Sequence, residues 1–251
     1  MKYTEVAVGV LIREDGAALF GQRPADKPYG GWWEFPGGKL EEGETVEQAL
    51  KRELFEELDI DVQLSVPWVV RVFKYPHAHV RLHFQKVLRW QGEPQSKEKQ
   101  ALHWHYPTDT LEAITPALPA SLPPIDWLRL PSDWSLEVTL PLEAHQGLVL
   151  HRPDLNEADF SQVFLESKAW LGIARLWVSD AHAESFAEQC AGRVFWGNVP
   201  DVCNYPFAVV ASTVGEALAK ADKGAQFVLL PGALLDAASR QLSVPSFAFI
   251  E

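Results

Sequence analysis

At 251 residues, with 47% hydrophobic and 22% charged side chains, the chain has material for one large or two small soluble domains and needs no disulfide scaffold to build a core. Its 22 Lys and Arg against 34 Asp and Glu give a net charge of −12. That excludes a protein that grips a DNA or RNA backbone, which requires a basic face, but not a nucleotide substrate, because a metal ion can bridge acidic side chains and phosphates. The two cysteines, Cys190 and Cys203, match no zinc-site spacing and read as buried free thiols. Neither a basic-then-apolar leader nor a run of membrane-spanning length is present, so a reducing cytoplasm is the expected compartment, with no membrane partner.

Val6–Ile12 and Ala17–Phe20 are β-rich runs around an Asp15-Gly16 turn and predict a hairpin. Arg23–Trp33, with Pro24, Pro28, Gly30 and Gly31, reads as a loop, and Phe35-Pro36-Gly37-Gly38 as a tight corner. Thr45–Leu58 is the clearest helix: Thr45 and Gln48 fit a capping box, and Leu50, Leu54 and Leu58 form an apolar stripe. Val66–Phe73 and Val80–Leu88 are two further strands. Six prolines between Pro107 and Pro131 predict a linker around one short helix near Ile125–Leu130, which places a domain boundary near 130–134. Beyond it, strands at Gly147–Leu150, Ala174–Val178, Arg193–Trp196, Phe207–Val210, Phe227–Leu230 and Ser246–Ile250 alternate with helices at Glu157–Trp170, Ala181–Cys190, Thr213–Lys223 and Ala233–Arg240. That alternation means β/α units on a parallel sheet, so the expected class of this half is α/β.

Glu53, Glu56 and Glu57 stand at i, i+3 and i+4, on one sector of the predicted helix. Three neighbouring carboxylates repel one another, and a solvated acidic face is the ordinary outcome. Here the helix follows a Gly-Gly corner that a ligand can approach closely, and Arg52 lies within the cluster. Hard oxygen donors in this pattern suit Mg²⁺ or Mn²⁺.

The stretch from Gly38 to Ile60 resembles the Nudix box, with Gly38, Glu44, Arg52, Glu53, Leu54, Glu56, Glu57 and Ile60 in place and Asp59 where the family has glycine. Residues 1–130 resemble its MutT branch, the hydrolases of oxidised guanine nucleotides, through Val6-Ala7-Val8-Gly9-Val10, Arg23, Glu34–Lys39, Arg89–Pro94 and Lys97-Glu98. The resemblance implies a Nudix α/β/α sandwich with a mixed sheet. It implies metal held by the Gly37 carbonyl and by Glu53, Glu56, Glu57 and Glu98, with Arg52 among the catalytic groups. It also implies a nucleotide contacted by Arg23, with Glu34, Phe35, Pro36, Gly37 and Gly38 around the base. The implied reaction is attack of water on the β-phosphorus of a nucleoside triphosphate, 8-oxo-dGTP foremost, giving a monophosphate and pyrophosphate. An oxidised thiamine pyrophosphate, a nucleotide sugar or a non-catalytic sensor role are the alternatives. Two departures bear on the base: the family's asparagine is missing from Thr115–Ala120, and its Asp-Arg pair is His77-Ala78.

Residues 134–251 resemble a shortened thiamine-phosphate-synthase-like (TenI-like) domain, best over Val209–Leu230. About half the length of an eightfold barrel remains, so closure demands very short strands. His151-Arg152-Pro153 is a candidate phosphate-binding strand end, and this half is read as degenerate and non-catalytic. The oligomeric state is not legible.

Overall fold

The computed structural model describes residues 3–76, 78–131, 133–135, 146–150, 152, 154–171, 176–179, 186, 192–195, 199, 207–223 and 225–250. His77, His151, Pro153, both cysteines and most of the expected 181–190 helix lie outside these. The chain forms two compact units, Met1–Arg129 and Leu130–Glu251.

The first unit has two sheets. One is mixed, in the order β4 (Gly37–Lys39), β1 (Thr4–Leu11), β6 (His79–Gln91), β5 (Asp61–Lys74). In it β1 runs parallel to β6 and antiparallel to β4. The other orders β3 (Trp33–Glu34), β2 (Ala18–Gln22), β7 (Leu102–His105). The expected hairpin is therefore corrected. The Asp15-Gly16 turn is present, yet β1 and β2 enter different sheets, joined only by the Ile12–Ala18 bridge. The strand β5 is an edge strand, where Pro67 can lack a donor and the register shift from Pro67 to Val69 is tolerated.

The helix α1 (Val46–Leu58) forms because its ends and one face are satisfied locally. The Thr45 hydroxyl accepts from Gln48 N–H at 3.2 Å and the Gln48 amide oxygen accepts from Thr45 N–H at 2.8 Å. Leu50, Leu54 and Leu58 are fully buried against Ala7, Leu11, Ile60 and Val87, each burial stabilising by about 1.5–3 kcal/mol. Gly9 of β1 lets the helix settle, since a Cβ there would lie 2.9 Å from a Leu54 methyl. Asp59 ends the helix in the left-handed region (φ 59°, ψ 36°), which aspartate tolerates better than most residues.

The proline-rich stretch is not a linker. It carries a 3₁₀ turn at Leu111–Ile114 and the helix α2 (Leu122–Trp127), and it buries Ile114, Leu118, Ala120, Ile125 and Trp127 in the first unit. Prolines at the first turn of α2 explain why it still forms a helix.

In the second unit seven parallel strands close into a barrel. They are β8 (Asp133–Ser135), β9 (Gln146–Leu150), β10 (Leu176–Ser179), β11 (Gly192–Phe195), β12 (Phe207–Val210), β13 (Val228–Leu230) and β14 (Ser246–Ile250). Closure succeeds with strands of three to five residues. Described helices are α3 (Glu157–Leu171), α4 (Val214–Ala221) and α5 (Leu235–Ser239). Strand alternation sends Val149, Trp177, Val194, Ala208, Phe227, Leu229 and Phe247 into one cluster and Leu148, Leu150, Leu176 and Val178 into another with Phe160 and Phe164 of α3. In β12 and β13 both strand faces are buried, which is why those strands read as continuous apolar runs.

Candidate active site

A cavity of about 560 Å³ opens in the first unit between the Gly37–Gly38 corner, the loop after β2 and the acidic side of α1. Glu53 and Glu57 reach it from α1, Glu98 from the loop after β6, and Arg23, Lys27, Glu34, Pro36, Gly37, Gly38 and Lys39 line it as well. Of the expected site residues Arg23, Glu34, Pro36, Gly37, Gly38, Glu53, Glu57 and Glu98 are brought together. Three are not.

Glu56 points outward, its side chain 58% exposed, and shares Arg52 with Glu53. Arg52 does not line the cavity; it is the clamp of the acidic cluster. Its guanidinium donates to both Glu44 oxygens at 2.8 Å, to the Lys39 carbonyl at 3.0 Å and to Glu53 at 2.9 Å. Phe35 is corrected from base pocket to core. Its ring packs on Phe20 at 4.4 Å and faces Phe84 at 6.1 Å, because alternation along the chain directs Glu34 and Pro36 into the cavity and Phe35 away.

The corner fixes two carboxylates. Gly37 N–H donates to Glu57 at 3.1 Å. A Cβ on Gly38 would fall 2.1–2.3 Å from the carboxyl atoms of Glu53, so that carboxylate fills the space a side chain would take. Gly37 has φ 139°, and a Cβ on it would meet the Ala7 carbonyl oxygen at 2.2 Å. At Gly37 the backbone itself demands glycine, whereas at Gly38 the Glu53 carboxylate does.

The electrostatics record crowding. Burial, opposed by the Gly37 hydrogen bond and reinforced by the charges of Glu34, Glu53 and Glu98, pushes the Glu57 carboxyl up to about 8. Glu34 is likewise raised by burial, against the pull of its ion-pair partner Arg23. Lys27 holds Glu98 at 2.9 Å and is itself raised by that hydrogen bond. Arg52 holds the half-buried Glu44 carboxyl down at about 2.

These residues fit a hard divalent cation. Glu53, Glu57 and Glu98 bring three carboxylates to one cavity, Glu53 held by Arg52 and Glu98 by Lys27, while burial raises the Glu57 carboxyl. Among the described residues no three acidic, histidine or cysteine side chains form a closed metal cage. An ion such as Mg²⁺, which keeps waters and shares its shell with substrate phosphates, needs only one or two carboxylates from the protein.

Sequence reasoning gave no role to Glu44, Lys27 or Tyr29. Glu44 sat in the motif, but its partnership with Arg52 needs the corner to be folded. Leu118 lines the cavity from the segment expected to carry the base-reading asparagine, its N–H bound to the Trp33 carbonyl at 2.8 Å.

Known proteins are similar to the first half of this chain. The NUDIX domain model matches residues 3–128. An 8-oxo-dGTP diphosphatase of Escherichia coli (strain K12) is 41% identical over 104 residues, 41% of this chain and 81% of the relative. A CTP pyrophosphohydrolase of the same organism is 39% identical over 123 residues, 49% of this chain and 89% of the relative. The solution structure of the E. coli ORF135 protein is 37% identical, with a TM-score of 0.44, covering 50% of this chain and 88% of that one. With a family match over half the chain and relatives covered almost whole, this chain belongs to the Nudix family and is a phosphoanhydride hydrolase.

Proposed function

We propose that the first unit is a Mg²⁺- or Mn²⁺-dependent pyrophosphohydrolase of nucleoside triphosphates, acting on 8-oxo-dGTP. The observation that carries the reading is the pair of α1 carboxylates, Glu53 and Glu57, packed against the Gly37–Gly38 corner in a cavity of nucleotide size. The relatives named 8-oxo-dGTP diphosphatase support the base assignment. Cytidine triphosphate is the second reading, favoured by apolar Leu118 in the base-reading segment and by the relative named CTP pyrophosphohydrolase.

When bound, the divalent ion neutralises phosphate charge and polarises the anhydride. Glu53, Glu57 and Glu98 would hold it, with the Gly37 carbonyl, while Glu56 faces outward on Arg52. Arg52 orients Glu53, and Gly37 orients Glu57. Arg23 and Lys39 supply positive charge for the phosphates, and Glu34 and Pro36 border the nucleoside. A carboxylate accepts a proton from water as its oxygen attacks the β-phosphorus. The bond from that phosphorus to the bridging oxygen breaks, and the monophosphate leaves with that oxygen. Catalysis here is positioning and charge stabilisation. A pure sensor role is disfavoured, because a sensor has no use for the Glu44–Arg52–Glu53 chain.

We read the second unit as a shortened β/α barrel of the TenI-like kind without a catalytic role, supported by its seven-stranded closure. Ser179→Ala at a strand end is then expected to leave turnover unchanged.

A panel of nucleoside triphosphates with Mg²⁺, followed by pyrophosphate and phosphate release, tests the assignment. The reading expects pyrophosphate and the highest kcat/KM for 8-oxo-dGTP. Highest kcat/KM for CTP selects the second reading, and orthophosphate release alone overturns both.

A further inference from the structure

We infer that Tyr29 is a substrate-binding residue, whose ring forms a stacking wall for the nucleobase. The inference rests on the cavity being a nucleoside triphosphate site.

Tyr29 is the one half-buried residue in a run that is otherwise exposed: Ala25, Asp26, Lys27 and Pro28 before it and Gly30 after it. It lines the cavity. Its backbone is in the left-handed region, φ 62°, an unfavourable conformation for an aromatic residue, of the sort that persists only where the surroundings over-determine it and that clusters at ligand sites.

The surroundings do over-determine it. Gly31 N–H donates to the Arg23 carbonyl at 2.9 Å, Arg23 N–H to the Trp32 carbonyl at 2.8 Å, and Trp32 N–H to the Tyr29 carbonyl at 3.1 Å. The Arg23 side chain reaches the Pro28 carbonyl at 2.9 Å. Gly30 has no room for a Cβ, which would lie 2.7 Å from the Ala25 carbonyl oxygen. The ring itself is edge-to-face with Trp32 at 5.1 Å and with Tyr75 at 5.5 Å. Tyr75 also lines the cavity, and its hydroxyl is engaged by the backbone of Ala120. The loop therefore delivers a rigid aromatic ring to the cavity before any ligand arrives, which lowers the ordering cost of binding.

A ring in that place has a chemical use. Leu82 and Leu118 line the cavity too, and neither can read a base edge by hydrogen bonding. A planar base entering among them gains from the π-face of a tyrosine, and base–aromatic stacking is sequence-tolerant. The same loop carries Arg23 and Lys27, which also line the cavity and offer positive charge to the phosphates. One preformed segment would thus hold both ends of the substrate.

The test is calorimetry in Mg²⁺ with two probes: an α,β-methylene analogue of the preferred nucleoside triphosphate, and inorganic tripolyphosphate, which has the same anionic chain and no base. Tyr29→Ala is expected to weaken the analogue about tenfold, the size of a lost base stack, and to leave tripolyphosphate within about twofold. Tyr29→Phe is expected to match the wild type on both. Equal weakening of both probes by Tyr29→Ala, with a lowered melting temperature, would mean that Tyr29 only anchors the loop and overturns the inference. So would an unchanged Kd for the analogue. Wild-type protein that binds the analogue no more tightly than tripolyphosphate would overturn the nucleoside reading itself, and Tyr29's role with it. If Tyr29→Ala fails to fold, Tyr29→Leu keeps the bulk without the π-face and is read the same way.

Discussion

Replacing Gly38 with alanine separates the site from the fold. The new methyl would begin 2.1 Å from the Glu53 carboxyl carbon and 2.2–2.3 Å from its oxygens. Ordinary contact begins at 3.4 Å, so the carboxylate must retreat by more than about 1 Å, against the 2.9 Å hydrogen bond from Arg52. What moves is the free end of a flexible side chain, so the fold should lose no more than about 1 kcal/mol. Turnover is another matter, because a displacement of about 1 Å in a catalytic group costs on the order of 100-fold. The neighbouring Gly37→Ala is the control with the opposite signature. Its methyl would meet backbone, the Ala7 carbonyl oxygen at 2.2 Å, from φ 139°, and should cost about 1–3 kcal/mol or more of stability. Urea unfolding and steady-state kinetics on both variants make the comparison. The reasoning is refuted if Gly38→Ala keeps turnover within threefold of wild type, or if it destabilises as much as Gly37→Ala.

Four further variants carry expected outcomes. Glu57→Gln should lower turnover by about a thousandfold or more with the far-ultraviolet spectrum unchanged. Its carboxyl titrates near 8 in the fold against an ordinary 4.5, so the metal-free fold binds that proton more tightly; the stability gained is full below about pH 4.5 and is lost as the pH rises through 8. Chemical denaturation should show that decline in wild type and its loss in the glutamine variant. Glu44→Gln removes the charge on which Arg52 forks and should cut kcat roughly tenfold with little change in KM, as read by steady-state kinetics. Lys86, held over the Trp68 ring at 4.9 Å, is depressed to about 8 by burial, so its charge opposes folding at pH 7 and Lys86→Met should raise Tm by about 2–4 °C in calorimetry. Asp59→Gly relieves the left-handed cap and should stabilise by about 0.5 kcal/mol in urea unfolding, with activity unchanged.

The α1 region was legible from sequence because its signals are local. A capping box, a leucine stripe and the spacing of Glu53 and Glu57 lie within fourteen residues, and no distant contact is needed to interpret them. The parallel strands of the second unit were legible for a related reason, since burial on both faces leaves runs such as Phe207–Val210 uniformly apolar. Partnership was harder to read. The Asp15-Gly16 turn is a hairpin signal, but β1 finds β6, some seventy residues away, and the two runs part into separate sheets. The strand β7, Leu102–His105, was missed because its apolar–polar alternation spans only four residues. The prolines of 107–131 suggested a linker by composition, while Ile114, Leu118 and Trp127 supplied the apolar area that packs the segment down. In the site, Glu56 could not be told from Glu53 and Glu57 on a helical wheel; the Gly38 corner decides which carboxylates turn inward.

The most direct test of the central claim is Mn²⁺ binding to the full chain, followed by electron paramagnetic resonance. With Glu53 and Glu57 beside the glycine corner as ion holders, wild-type protein should bind Mn²⁺, and a Glu53→Gln, Glu57→Gln double variant with native circular dichroism should lose that binding. Equal Mn²⁺ affinity in the two proteins would contradict the assignment.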